Sequence, residues 1–195
     1  MGGTAMAVPR WNRDPWLYRD RVFVGSVLDV GGTGDPLGRY RAYFPNLTSV
    51  TVLDMATSSG QGVDAWITGD ASQPTGTFDC VYSSHCLEHV NGPEATMQAW
   101  WDAVRPGGYL VVIVPSWHHY EREVWPPRFN TDHRTSWVMR LEPGDPSHHR
   151  GLLDLSPRGG RIISARTLDA GFVPGPIDQT ADHLCESGLE LVVQK

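Results

Sequence analysis

Between residues 26 and 40 the chain reads SVLDVGGTGDPLGRY, and no other stretch constrains the fold as strongly. Val27, Leu28, Asp29 and Val30 have the character of a buried strand, and the GGTG that follows packs three glycines into four residues. Glycine costs stability unless the backbone must turn sharply or admit something closely. A carboxylate ending an apolar strand, with such a turn directly behind it, points to a ligand beyond the strand's carboxyl end. Asp35-Pro36 then offers an N-cap and a first helical residue, so free backbone N–H groups would face the crevice.

The next ninety residues repeat the alternation of strand and helix. A helix with Leu37, Tyr40 and Phe44 on its apolar face closes at Pro45. Strands follow at 49–55, at 65–70 and at 78–84. Met97, Trp100, Trp101 and Val104, spaced i, i+3, i+4 and i+7, predict an amphipathic helix that starts at Pro93-Glu94 and ends at Pro106-Gly107-Gly108. YLVVIVP (109–115) is the fifth strand. Such alternation implies right-handed crossovers and a mostly parallel, doubly wound α/β sheet of about seven strands, Rossmann-like, with helices on both faces. Residues 116–161 break the rhythm, rich in Trp, His, Pro and Gly. SARTLDAGF then predicts a short helix capped by Ser164 and stopped by Gly171, before a last strand at 189–195. The expected organisation is one domain over 1–195: an N-terminal extension (1–25), a core (26–115), an insert (116–161) and a C-terminal helix and strand (162–195).

Composition narrows the partners. The net charge of -6 and the presence of a single lysine among sixteen basic residues argue against nucleic-acid binding by phosphate neutralisation. Cys80, Cys86 and Cys185 are odd in number and form no CxxC, which favours a reducing compartment. The N-terminus has no apolar core of signal-peptide length, and the longest apolar run, YLVVIV, is too short to span a bilayer. A cytoplasmic location is expected, with no membrane partner.

Two more acids fall where Asp29 does. Asp54 ends the second strand, where a carboxylate can accept both hydroxyls of a ribose, and Asp70 follows the third. A nicotinamide nucleotide is a rival ligand, but GGTGDP is not GxGxxG. With VLDVGGTG, VTVLDM, GDA, FDCVYSSHCLEHV and RPGGYLVVIVP in that order, residues 26–115 resemble the class I S-adenosylmethionine-dependent methyltransferases. The resemblance implies S-adenosylmethionine as cofactor. It places Asp29, Gly31, Gly32 and Gly34 around the methionine part, Asp54 and Met55 at the ribose, and Asp70 and Ala71 at adenine. Ser83, Ser84 and His85 would line the floor near the sulfonium. The glycine loop is one residue shorter than usual. Within LEH, Glu88 and His89 are expected to tie helix and strand together.

The insert is the expected acceptor side. A hydroxyl acceptor needs a base of near-neutral pKa, for which histidine is the first choice. His133 is the expected base and His119 its reserve. Trp117, Tyr120, Glu121, Trp125, Asn130 and Asp132 are the expected acceptor contacts, and several of these positions also match a segment found in bacterial methyltransferases of unassigned acceptor. The adjacent pairs His118-His119 and His148-His149 lack zinc-site spacing, so no metal is expected. SSHC after the fourth strand disfavours methylation of DNA bases. The function expected is methylation of a small molecule or glycan, foremost O-methylation of a sugar. An inactive cofactor-binding partner and a protein or RNA methyltransferase stand as alternatives.

Overall fold

The computed structural model describes residues 17–34, 36–56, 61–127, 130–170, 172 and 187–195. Five parallel strands form its centre: β1 (Gly25–Val30), β2 (Leu47–Asp54), β3 (Ala65–Thr68), β4 (Phe78–Ser84) and β5 (Val104–Pro115). β6 (Ser136–Val138) and β7 (His149–Gly151) make a separate parallel pair inside the insert. β8 (Arg161–Leu168) and β9 (Gly188–Gln194) complete a seven-stranded sheet of order β3-β2-β1-β4-β5-β9-β8, with β9 antiparallel to both neighbours. The expected mostly parallel seven-stranded α/β sheet is therefore present. Its switch point lies between β1 and β4, where strand order reverses and where ligands of such sheets bind.

Strand alternation divides the core in two. Val27, Val50, Val52, Cys80, Tyr82, Val111 and Ile113 face one side, where Tyr18, Val22, Phe23, Leu37 and Phe44 cover them. Leu28, Val30, Leu53, Val81, Leu110, Val112 and Val114 face the other, beneath α1 (Pro93–Asp102) and Trp137 and Leu152 of the insert. Every one of these strand residues is nearly inaccessible, as strands covered on both faces require. Leu17, Tyr18, Val22 and Phe23 of the expected N-terminal extension are part of this core. Tyr18 donates its hydroxyl to the buried Glu190, which also accepts from Arg166 Nε at 2.8 Å. No helix among the described residues is long and apolar enough to cross a membrane.

Three local expectations need correction. SARTLDAGF does not open a helix: residues 161–168 form β8, because Ile162, Ile163 and Thr167 are β-branched and the open edge of β9 supplies a full ladder. Ser164 directs its hydroxyl toward Glu190 at 3.4 Å and caps nothing; Gly171 lies outside the described residues. The helix expected after the glycine turn is a 3-10 helix (Leu37–Tyr43). Asp35 lies outside the described residues, and the carboxylate that takes the N–H of Leu37 is Asp29, at 2.7 Å. Finally, α1 stops at Asp102, and Pro106-Gly107-Gly108 belongs to β5, where Gly107 takes φ +83° beside a register shift.

Candidate active site

The carboxyl ends of β1, β2 and β4 converge on one crevice. Gly31 turns the chain out of β1 with φ +79° while its N–H donates to Leu53 O at 2.9 Å. Only glycine fits there: a Cβ at Gly31 would lie 2.7 Å from Cys86 Cβ, and one at Gly32 would lie 2.5 Å from the Asp29 carboxylate. Gly34 faces open space, with nothing among the described residues within 4 Å of where its Cβ would project. Between them the buried Thr33 Oγ1 has no hydrogen-bond partner among the described residues. An orphaned hydroxyl beside an open glycine is a cradle that a polar ligand would fill.

Asp54 lies at the rim. It accepts from Ala56 N at 2.9 Å and Thr33 N at 3.3 Å, which fixes its carboxylate over the turn. Met55, its neighbour, is 80% exposed. Asp70 accepts from the backbone N–H and the hydroxyl of Ser72, each at 2.8 Å, and these bonds hold its pKa below the usual carboxylate range. Ala71 O takes the indole N–H of Trp100 at 2.7 Å, so α1 fixes the segment expected at adenine. Ser83 donates to Val30 O at 3.1 Å and thereby closes the floor between β1 and β4. Ser84 is half-buried beside it. His85 leaves β4 with φ +54°, a conformation rare for a side-chain-bearing residue and often found at functional sites. The residues expected around the cofactor thus share one end of the sheet, with Asp70 exposed and farthest from its buried floor.

Across the crevice the insert assembles a different kind of site. His133 Nδ1 donates to Glu121 Oε1 at 2.5 Å, and both side chains are 1% exposed. Glu121, expected to contact the acceptor, is thus the orienting acid of His133. Asp132 is exposed, and its backbone carbonyl accepts from His89 Nδ1 at 3.3 Å. Asn130 Oδ1 takes the N–H of Asp132 at 3.2 Å and shapes the turn. At 1% exposure an acceptor cannot touch His133 in this conformation, which sets it apart from the expected role of base.

His119 is half-buried. Its Nδ1 lies 3.3 Å from Ser116 Oγ, and its ring packs edge-on to Phe172 at 4.5 Å. Burial lowers its pKa, so it is neutral at pH 7 and able to accept a proton. Trp117 packs on His149 at 4.6 Å, and Trp125 stacks on His148 at 4.5 Å and 6°. Tyr120 lies between His85 (5.8 Å) and His133 (5.5 Å).

Sequence reasoning missed Glu88 as a member of the site. Its side chain is 0% exposed and neither oxygen has a hydrogen-bond partner among the described residues. Oε1 lies 3.5 Å from His85 Nδ1, 3.9 Å from His89 Nε2 and 4.0 Å from His133 Nε2. Its carboxylate also helps push the half-buried Cys86 thiol up to about 12, after the larger effect of burial. The available signal was an acid between apolar Leu87 and His89, directly beyond a buried strand.

Known proteins match this chain in sequence and in fold. A family model described as a methyltransferase domain covers residues 19–162. A trans-aconitate 2-methyltransferase of Deinococcus radiodurans is 30% identical over 105 residues, 49% of this chain and 40% of that protein, so the chain spans less than half of that curated relative. Among solved structures, an S-adenosylmethionine-dependent methyltransferase from Mesorhizobium loti superposes with TM-score 0.57 at 18% identity, covering 90% of this chain and 93% of the other. The N-methyltransferase NodS from Bradyrhizobium japonicum, solved with S-adenosyl-L-homocysteine, gives TM-score 0.55 at 14% identity, covering 88% and 78%. With three quarters of its length inside the family model and the sheet order above, the chain belongs to the class I S-adenosylmethionine-dependent methyltransferases.

Proposed function

We propose that this chain binds S-adenosylmethionine in the β1–β2–β4 crevice and transfers its methyl group to a small-molecule or glycan acceptor, foremost a sugar hydroxyl. The observation that carries the reading is the cradle itself: orphaned Thr33 Oγ1, open Gly34, and the Asp29 and Asp54 carboxylates at successive strand ends. When bound, the cofactor supplies an electrophilic methyl carbon on a positively charged sulfur. Gly31, Gly32 and Gly34 let the backbone approach its amino-acid part. Asp54 accepts from the ribose hydroxyls, and Ala71 with Asp70 borders adenine. Ser83, Ser84 and His85 form the floor at the switch point.

The insert supplies the acceptor side. His119, half-buried and neutral, takes the proton of the acceptor hydroxyl, and Ser116 Oγ positions its ring. The Glu121–His133 pair fixes the wall behind Tyr120 and acts as a positioning element. Holding acceptor and methyl group in line supplies a large share of the rate by proximity. The acidic balance, net charge -6, supports a small acceptor over RNA.

Calorimetric titration with S-adenosylmethionine and with S-adenosylhomocysteine tests the cofactor half, and binding of both at one site per chain is expected. Absence of heat and of thermal shift with either ligand sinks it, and binding of NADH in their place favours the dinucleotide rival. A panel of sugar nucleotides, assayed for release of S-adenosylhomocysteine, tests the acceptor half.

A further inference from the structure

Glu88, His89 and His133 bring three ligand atoms within 4.8 Å of one another, and the pattern of protons around them is the informative part. Asp132 offers His89 Nδ1 a carbonyl, which can only accept, so that nitrogen carries a proton and, in the neutral ring, Nε2 keeps its lone pair. Glu121 does the same for His133 through a carboxylate, again leaving Nε2 as an acceptor. Both Nε2 atoms point toward Glu88 Oε1, at 3.9 and 4.0 Å. The result is a carboxylate and two imidazole lone pairs facing one another. His85 Nδ1, 3.5 Å from the same oxygen, makes no hydrogen bond with it, and burying a carboxylate without a hydrogen bond among the described residues against two acceptors is strongly unfavourable unless a cation sits between them.

We propose that Glu88, His89 and His133 form a binding site for a divalent first-row transition metal ion of the zinc or iron class. Two imidazoles and one carboxylate match the donor set of catalytic zinc and of non-haem iron sites, which keep further coordination positions open. In a tetrahedral site with bonds near 2.1 Å the ligand atoms stand about 3.3–3.5 Å apart. The separations from Glu88 Oε1, 3.9 and 4.0 Å, exceed that by about half an ångström, and the three atoms together lie within 4.8 Å, so the side chains must draw in to close on an ion. The outer contacts complete the argument, because metal-ligating histidines characteristically donate their second N–H to a carboxylate or a backbone carbonyl. Glu121 and Asp132 provide one of each. The backbone adds rigidity: Arg134 N donates to Glu88 O at 2.8 Å, joining the two segments that carry the ligands. Glu88 and His133 are sealed from solvent while His89 is 35% exposed, so open coordination positions would face the His89 side. This site is independent of the acceptor's identity.

A metal ion and a shared proton make different predictions. The full 195-residue chain, stripped with a chelator, is titrated with Co2+ and followed by visible absorption, and the bound ion is counted by elemental analysis. One ion per chain is expected, with the d–d bands of a nitrogen–oxygen site, displaced by Zn2+ and indifferent to Mg2+. Glu88→Gln and His133→Ala should each lower Co2+ affinity more than 100-fold. Glu121→Gln, which removes only an outer contact, should lower it by about 10–100-fold. His148→Ala, in the separate aromatic cluster, should leave it unchanged. Should a variant at a sealed position fail to fold by circular dichroism, His89→Asn at the exposed rim carries the test with the same expected loss. The proposal is overturned if the wild-type chain takes up no stoichiometric ion, which leaves the shared proton as the cation. Uptake that survives Glu88→Gln, or that disappears in His148→Ala, overturns it equally.

Discussion

The two walls of the crevice hold their acids in opposite ways. On the strand-end wall each carboxylate is tied to a nearby backbone N–H: Asp29 to Leu37, Asp54 to Ala56, Asp70 to Ser72. Where the insert meets the loop after β4, Glu121 and Glu88 face histidine side chains, His133 brought from a distant turn and His85 and His89 adjacent to Glu88 in sequence, and both acids are sealed from solvent. At the rim, as for Asp54 and Asp70, backbone anchoring leaves a carboxylate with lone pairs for a ligand, and its loss affects the ligand more than the fold; Asp29, 1% exposed, serves the fold as well. Side-chain pairing in a dry interior makes each partner depend on the other, and its loss affects the fold first.

The largest expected effect tests the second half of that contrast. Glu121→Ala strips the buried partner from His133 and should destabilise the chelator-treated protein by about 3 kcal/mol, the lower end for breaking a buried pair. For a chain of this size that is a fall in Tm of about 6–12 °C. A melt within 1–2 °C of wild type, on the same scale of about 2–4 °C per kcal/mol, would show that the pair contributes nothing net and would break the comparison. Next comes Asp54→Ala. Removing a hydrogen bond to a charged group should weaken S-adenosylhomocysteine binding by about 1.5–3 kcal/mol. The Tm of the ligand-free variant should stay close to wild type, since its hydrogen bonds among the described residues are two, at a half-buried rim. Equal losses in both measurements would make Asp54 a structural acid like Glu121.

This contrast also explains what the sequence could and could not reveal. A strand, a glycine turn and a strand-end acid are local events, so Asp29, Gly31–Gly34 and Asp54 announce themselves within a few residues. The heptad-like spacing of Met97, Trp100 and Trp101 likewise survives as α1. β8 was not legible, because SARTLDAGF reads locally as a capped helix and the β-branched residues of Arg161–Leu168 become a strand on the edge of β9, which begins twenty residues later. The orienting acid of His133 was not legible for the same reason. Glu121 was expected among the acceptor contacts, because nothing local shows that it arrives from the far side of the insert to meet His133. Glu88 looked like a local tie because its burial depends on the loop at 130–134 folding over it.

Acidification should separate the walls more gently. Burial lowers the pKa of His119, and burial followed by neighbouring histidines lowers those of His148 and His149. A lowered histidine binds its proton later in the fold than in the unfolded chain. Stability is therefore untouched above about pH 6.5 and falls as pH drops below it. Asp70 and Asp64 are held below the carboxylate range by backbone hydrogen bonds from Ser72 and Val50. Their contribution is present above about pH 4 and disappears only as pH falls through their own lowered values. Hydrogen exchange, corrected for intrinsic rates, should show residues 116–151 losing protection between about pH 6.5 and 5 while β1–β3 stay protected. Simultaneous loss on both walls would mean that the insert and the sheet open as one unit.

The smallest effect belongs to Asp132, and it sharpens the contrast because this acid stands on the insert wall with an exposed carboxylate and is held through its backbone. Its side chain is exposed; its contributions to the fold are a backbone N–H given to Asn130 Oδ1 and a backbone carbonyl given to His89. Asp132→Asn keeps both, so unfolding free energy from urea denaturation should change by less than about 0.5 kcal/mol. Cofactor affinity should be untouched, because the strand-end contacts lie elsewhere. Co2+ affinity should hold as well, since the carbonyl that fixes the His89 tautomer belongs to the backbone and not to the carboxylate. A loss of stability close to that of Glu121→Ala would place the Asp132 carboxylate in the buried network. Unchanged stability with a raised acceptor KM would place it in the acceptor pocket, where an exposed carboxylate two residues beyond Asn130 can meet a hydroxyl directly.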